Sequence, residues 1–165
     1  MLTERTAFLF HVFIAAQTAL MLVLQGIPTG SQDKPYCLLS LAVALAGVLP
    51  PLGAMVYGAV CGALCDLPGS GVIGFYALTT AFACVAVSYW LHNIWRNSFL
   101  TRSLLCGAAV ITIIGLYFLL FRAWQEGGVR LLPHYLWRML WTYLCVFPLY
   151  GVNVLLGRLL NERRA

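Results

Sequence analysis

Charge is what this chain has least of. Only 9% of its 165 residues are Asp, Glu, Lys or Arg, ten basic and five acidic, where a soluble domain carries about 25%. A water-soluble helical bundle is excluded on that ground, because so few charges, clustered in a few places, do not solvate its surface. Carboxylates spaced as an acid–base pair are missing, as are a GxSxG elbow, an HExxH helix and a phosphate-cradling glycine loop. Ser70 lies between glycines but has no base and no orienting acid. No catalytic residue and no cofactor are therefore expected. The six cysteines, at 37, 61, 65, 84, 106 and 145, form no CxxC and have no histidine at ligand-like spacing. Neither a disulfide framework nor a metal site is expected of them; cysteine acts here as a small hydrophobe. The basic residues are scattered singly, with no patch and no recognisable module, so nucleic acid is not an expected partner.

What is present is apolar. Hydrophobic residues make up 62% of the chain, and the mean hydropathy is +0.88. The expectation is an all-α polytopic membrane protein, a single transmembrane domain over residues 1–165, with membrane lipid around it. The first apolar run has no cleavage pattern after it and reads as a span rather than a signal peptide. It covers about 8–27, a length that matches a hydrocarbon core of roughly 30 Å. Gln17 and Gln25 are polar positions within it, Gln17 expected as a hydrogen-bonding residue of the bundle. Hydropathy then continues from Tyr36 to Leu67, too long for one span, broken only by Pro50–Pro51. Proline disfavours a helix interior, and the residue before it avoids the α region. Two short helices follow, about 37–49 and 52–67, crossing as a tight hairpin or forming a re-entrant element. Further spans are expected at about 71–90, with Ser70 as N-cap, at 104–121 and at 134–156, with Pro148 as a kink. His92, Trp95, Arg96 and Arg102 are read as an interfacial loop.

Six spans and a cytoplasmic N-terminus put Arg5, Arg96, Arg102, Arg158, Arg163 and Arg164 inside, and Lys34, Arg122, Arg130 and Arg138 outside. The bias has the sign of the positive-inside rule and leaves both termini cytoplasmic. Gly58, Gly62 and Asp66 are spaced by four and share one helix face, with Pro68, Gly69 and Gly71 stopping the helix and Gly74 near the next start. A carboxylate in the last turn of a helix opposes the macrodipole and needs a partner. Candidates are Arg122, Arg130, Arg138 or the backbone N–H groups of 69–71. Asp66 either organises the DLPGSG turn, meets a partner protein or takes part in ion translocation. His134 and Arg138 are four apart and form a candidate polar site on the outer side, or Arg138 snorkels. Trp137 and Trp141 are four apart, an interface anchor or a contact stripe for another membrane protein.

The segment Gly58-Ala-Val-Cys-Gly62-Ala-Leu-Cys-Asp66-Leu67, followed by Gly74-Phe75-Tyr76-Ala77-Leu78, resembles the most recognisable part of the bacterial rod shape-determining MreD family. The chain length, the short second span, Leu131-Leu132-Pro133 before the last span and the basic tail are similar too. Ala63 stands where leucine is commoner, and the cysteines are unusually many. The resemblance implies a non-enzymatic scaffold or binding subunit of the cell-elongation complex in the bacterial inner membrane. Its implied partners are an MreC-like bitopic protein, a peptidoglycan glycosyltransferase/transpeptidase pair and MreB filaments. It also implies a compact six-helix bundle like the membrane substrate-binding subunits of energy-coupling-factor transporters. The alternative function is therefore the substrate-binding membrane subunit of a small-molecule, vitamin-type transporter, its cavity lined by Gln17, Gln25, Asp66 and Arg138.

Overall fold

A chain this apolar has to satisfy its backbone internally, and helices do so within each segment. The computed structural model describes residues 2–27, 35–67, 73–93, 99–123 and 128–162. They form six helices and, among the described residues, no strand: α1 (Leu2–Gly26), α2 (Cys37–Ala46), α3 (Pro51–Asp66), α4 (Phe75–Asn93), α5 (Phe99–Tyr117) and α6 (Gly128–Glu162). α5 runs on into one π-helical turn, Phe118–Arg122, closed by Ala123 N–H donating to the Phe118 carbonyl at 2.8 Å. Four segments are long and apolar enough to cross a membrane: Phe8–Gly26, Phe75–Asn93, Thr101–Arg122 and Arg130–Leu156.

Several boundaries differ from the sequence expectation. The proline pair does split the second apolar run, with Pro51 at the first helical position, where its missing N–H costs nothing. α2 nevertheless stops at Ala46, and residues 47–49 form a turn held by Val48 and Leu49 N–H on the Leu45 carbonyl. α4 starts at Phe75, so Ser70 is not its N-cap. His92 belongs to the last turn of α4, and Arg102 to α5, rather than to a loop between them. α6 begins before Pro133 and continues through Pro148, so both prolines lie inside one helix. Each removes one backbone hydrogen bond, a loss that packed spanning helices absorb.

α2 is the centre of the bundle. Nine of its ten residues, Leu38 to Ala46, are buried, and it packs against α1, α3, α4, α5 and α6. A helix apolar on every side has to be enclosed by protein or by lipid, and here protein encloses it. α1 is the opposite case: only 11% of its apolar span is buried, and its Phe8, Leu9, Val12, Leu20 and Val23 face outward. His11 on α1 meets the Tyr57 hydroxyl of α3 at 2.6 Å, their rings stacked.

The contacts also order the helix ends. Gln25, late in α1, reaches the start of α2. Asp66, the last residue of α3, reaches the start of α4. Tyr117, at the end of α5, stacks on Tyr76 of α4, and Arg138 of α6 lies over Tyr36. The helices therefore alternate in direction, and these ends meet on one side of the bundle. At the other side, Ser88 donates to the Leu49 carbonyl at 2.7 Å, and Arg102 lies over the Tyr150 ring.

α3 and α4 make the most extensive helix contact. Buried stripes face each other, Ala54, Gly58, Gly62 and Asp66 against Tyr76, Thr80, Cys84 and Ser88. A Cβ on Gly62 would sit 2.3 Å from the Tyr76 carbonyl oxygen and 2.7 Å from Ala77 Cα. Both are backbone atoms and cannot swing aside. A Cβ on Gly58 would meet Cys84 and the Thr80 carbonyl at 3.1 Å, which needs only a small shift. Gly62→Ala should thus destabilise the protein by about 1–3 kcal/mol through overpacking, and more than Gly58→Ala does. Thermal unfolding of the two variants in detergent tests the order; equal melting temperatures would contradict the close approach at Gly62.

Candidate functional site

The site is assembled from helix ends. α4 begins at Gly74, which has φ +91°, a left-handed conformation that suits glycine. Its carbonyl accepts the first intrahelical bond, from Leu78 N–H at 3.1 Å, so Gly74 is the N-cap residue. Having no side chain, it cannot supply the cap oxygen. Asp66 does so from α3: Oδ2 accepts Gly74 N–H at 3.0 Å and Ala77 N–H at 3.2 Å, and Oδ1 accepts Tyr76 N–H at 3.2 Å. One carboxylate thereby satisfies groups that a capping residue and its box partner normally share. The residue is 5% exposed. Its charge opposes the macrodipole of its own helix and complements that of α4.

The described backbone donors to Asp66 are Gly74, Tyr76 and Ala77. Pro68, Gly69, Ser70 and Gly71 lie outside the described residues.

α2 starts in the same way. Its first residues carry no capping side chain, and the groups come from other helices. Leu38 N–H donates to Gln25 Oε1 of α1 at 3.3 Å, and Tyr36 N–H donates to Thr142 Oγ1 of α6 at 3.1 Å. Ser40 Oγ donates to the Thr142 carbonyl at 2.8 Å. Gln25 Nε2 also approaches the Cys65 sulfur at 3.9 Å. Gln17, by contrast, keeps Oε1 buried with no hydrogen-bond partner among the described residues. Thr142 and Ser40 drew no attention in the sequence; a hydroxyl inside an apolar span is the signal that finds them, because it needs a partner there.

An aromatic chain connects these starts to the cations. Tyr76, 1% exposed, stacks on Tyr117 with centroids 5.0 Å apart. Its hydroxyl donates to the Tyr36 hydroxyl at 3.3 Å. Arg138 Nη1 donates to the same Tyr36 oxygen at 3.3 Å, and its guanidinium carbon lies 4.8 Å from the Tyr36 centroid. Burial pushes the Tyr36 phenol above the usual tyrosine range, and the Arg138 charge pulls it back. Arg122 lies on the π-helical turn.

Arg122, Leu131, His134, Tyr135 and Arg138 line a cavity of about 450 Å³. His134 and Arg138, paired by spacing in the sequence, thus share one hollow, and Arg122 joins them from α5. Trp137 and Trp141 point elsewhere: they are 49% and 43% exposed and pack edge-to-face with centroids 5.8 Å apart. All six cysteines are free, with Cys61, Cys65, Cys84 and Cys106 buried. Among the described residues no cluster of metal-ligating side chains occurs.

Fold and site together define a polytopic α-helical membrane protein, a bundle whose long helices turn apolar faces outward and in which embedded Asp66, Gln25 and Thr142 serve helix starts. No family model, curated protein or solved structure matches the chain.

Replacing Asp66 by Asn retains the shape but leaves one acceptor oxygen and sets an NH₂ group against backbone N–H donors. Asp66→Asn should cost about 1.5–3 kcal/mol, the value of hydrogen bonds to a charged group. Amide exchange should rise first at Tyr76 and Ala77. Unchanged stability and unchanged protection there would refute the capping role.

Proposed function

We propose that this protein is a scaffold subunit of the bacterial cell-elongation machinery, an inner-membrane protein of the MreD type with six crossings and both termini in the cytoplasm. The observation that carries the reading is the α3–α4 joint. Gly58, Gly62 and Asp66 carry the sequence resemblance, and the same residues set the closest helix approach and cap α4. A segment that resembles a family at the positions with the tightest physical demands supports membership better than matching hydropathy would.

The crossings of α2 and α3 belong to the same proposal. Their ten and sixteen residues span about 15 Å and 24 Å at 1.5 Å per residue. The alternation of helix directions supports a crossing pair, and enclosure of α2 by the other helices supports its short length. Several polar groups inside the bundle have structural assignments: Asp66, Gln25 and Thr142 serve helix starts, and Ser88 serves the turn after α2. That supports a non-enzymatic, binding role. An MreC-like bitopic protein and a peptidoglycan glycosyltransferase/transpeptidase pair are the proposed membrane partners, with MreB filaments on the cytoplasmic side. The exposed Trp137 and Trp141 pair is the proposed contact face.

One observation favours a second reading, the substrate-binding membrane subunit of a small-molecule transporter: the cavity at Arg122, His134 and Arg138. Its expected lining fits less well. Gln25 and Asp66 are committed to helix starts, and α2 fills the bundle centre.

Co-purification from detergent-solubilised membranes with a co-expressed MreC-like protein tests the first reading. The two should elute together, and Trp137→Ala/Trp141→Ala should weaken the association while changing the protein's own stability by no more than about 0.5 kcal/mol, as exposed substitutions do. No association, together with normal rod shape after deletion, would sink the reading.

A further inference from the structure

α3 carries an outward face that the scaffold reading leaves unused. Leu52, Met55, Val56, Val60, Ala63 and Leu67 follow one another at helical spacing, and all are exposed. The face is apolar from end to end and mostly bulky. The small residues Ala54, Gly58 and Gly62 of the same helix are buried instead, the two glycines against α4. Helices that dock in a membrane meet through small residues, so the outward face of α3 suits acyl chains better than another helix. It is also short. Its sixteen residues reach about 24 Å at 1.5 Å per residue, against a hydrocarbon core of roughly 30 Å. The 22 residues of Thr101–Arg122 reach about 33 Å by the same measure.

Other helices mark the levels of the two α3 ends. Ser88 of α4 donates to the Leu49 carbonyl just before α3 starts, and the next two residues, Tyr89 and Trp90, are exposed. At the far end Asp66 accepts Tyr76 N–H, the Tyr76 hydroxyl donates to the Tyr36 hydroxyl, and Tyr36 N–H donates to Thr142. Trp141, beside Thr142, and Trp137, one turn earlier, are exposed as well. Tyr and Trp rings on the outside of spanning helices settle at headgroup level, and here the two sets stand about one α3 length apart. Helix ends also carry backbone groups without intrahelical partners, which water and headgroups satisfy and acyl chains do not. A bilayer of full thickness at this face would immerse both ends of α3.

We propose that the outward face of α3 is a lipid-binding surface that holds the bilayer locally thinned to about the length of α3 and takes short acyl chains in preference to long ones. The proposal rests on the reading of α3 as a crossing helix, and the test separates the two.

The test places the full chain in nanodiscs of phosphatidylcholine with monounsaturated chains of 14, 18 or 22 carbons and reads amide and methyl signals by NMR. A water-soluble gadolinium chelate broadens amides near the surface, and a lipid spin-labelled at its chain end broadens those at the bilayer centre. The chelate should broaden Leu52 and Leu67 to within about twofold in all three lipids, because the bilayer follows α3. The chain-end label should act most strongly near Ala59. Loss of chelate broadening at both ends in the longest lipid overturns the thinning while leaving the crossing intact. Broadening of one end by the chelate and of the other by the chain-end label shows that α3 does not cross, and overturns the crossing reading with the proposal. In an equimolar mixture of the 14- and 18-carbon lipids, one deuterated at a time, Val56 and Val60 methyls should contact the shorter lipid about twofold more often. Equal contact overturns the chain-length preference. Methyl contacts to a second copy of the chain in place of lipid assign the face to self-association and overturn the proposal.

Discussion

One carboxylate holds two helix ends of opposite polarity. Asp66 finishes α3, where the dipole repels it, and opens α4, where the dipole and three N–H groups attract it. Much of the bundle's geometry follows from that link. For the side chain to reach past its own helix end, α3 has to approach α4 at backbone distance, and Gly62 permits this. For the N–H groups to converge, the chain has to enter α4 through a left-handed residue, and Gly74 permits that. The helix so fixed carries Tyr76 in its first turn. From there an unbroken path of hydroxyls and rings runs through Tyr36 to Arg138.

Where structure was determined by local chemistry, it was legible in the residues. The break at Pro50–Pro51, the long spans and the i, i+4 face of Gly58, Gly62 and Asp66 all depend on neighbours in sequence. The cap of α4 was misplaced for the same reason. Ser70 is a good capping residue by type and position, but the cap oxygen comes from the preceding helix, and only the tertiary fold brings it there. The caps supplied to α2 by Gln25 and Thr142 were hidden in the same way, Thr142 being more than a hundred positions away. The central position of α2 was hidden for another reason. A helix apolar on all faces has no preferred side, so its composition suits a core as well as a lipid environment. In the candidate site, the spacing of His134 and Arg138 was visible, whereas the contribution of Arg122 depends on a π-helical turn that no spacing rule anticipates.

The bundle therefore uses its few polar residues sparingly and at distance. Side chains from α1, α3 and α6 complete the starts of α2 and α4, so ladders that would otherwise end in unsatisfied groups are closed by neighbours. In hydrocarbon an unsatisfied N–H costs several kcal/mol, which makes these bonds a condition for keeping two helix starts inside the protein. Among the described residues, Arg102 and Arg138 lie over the rings of Tyr150 and Tyr36.

The remote cap of α2 has a consequence for biogenesis. Thr142 belongs to α6, which is synthesised after α2, yet it accepts a backbone N–H at the start of α2. The chain emerging from the ribosome thus has to carry an unfinished helix start through the insertion of α3, α4 and α5. α2 is too short and too enclosed to be settled by hydrophobic length alone, so its final seat exists only once α6 has arrived. Until α6 is in place, the Tyr36 N–H at the start of α2 lacks the Thr142 hydroxyl that accepts it.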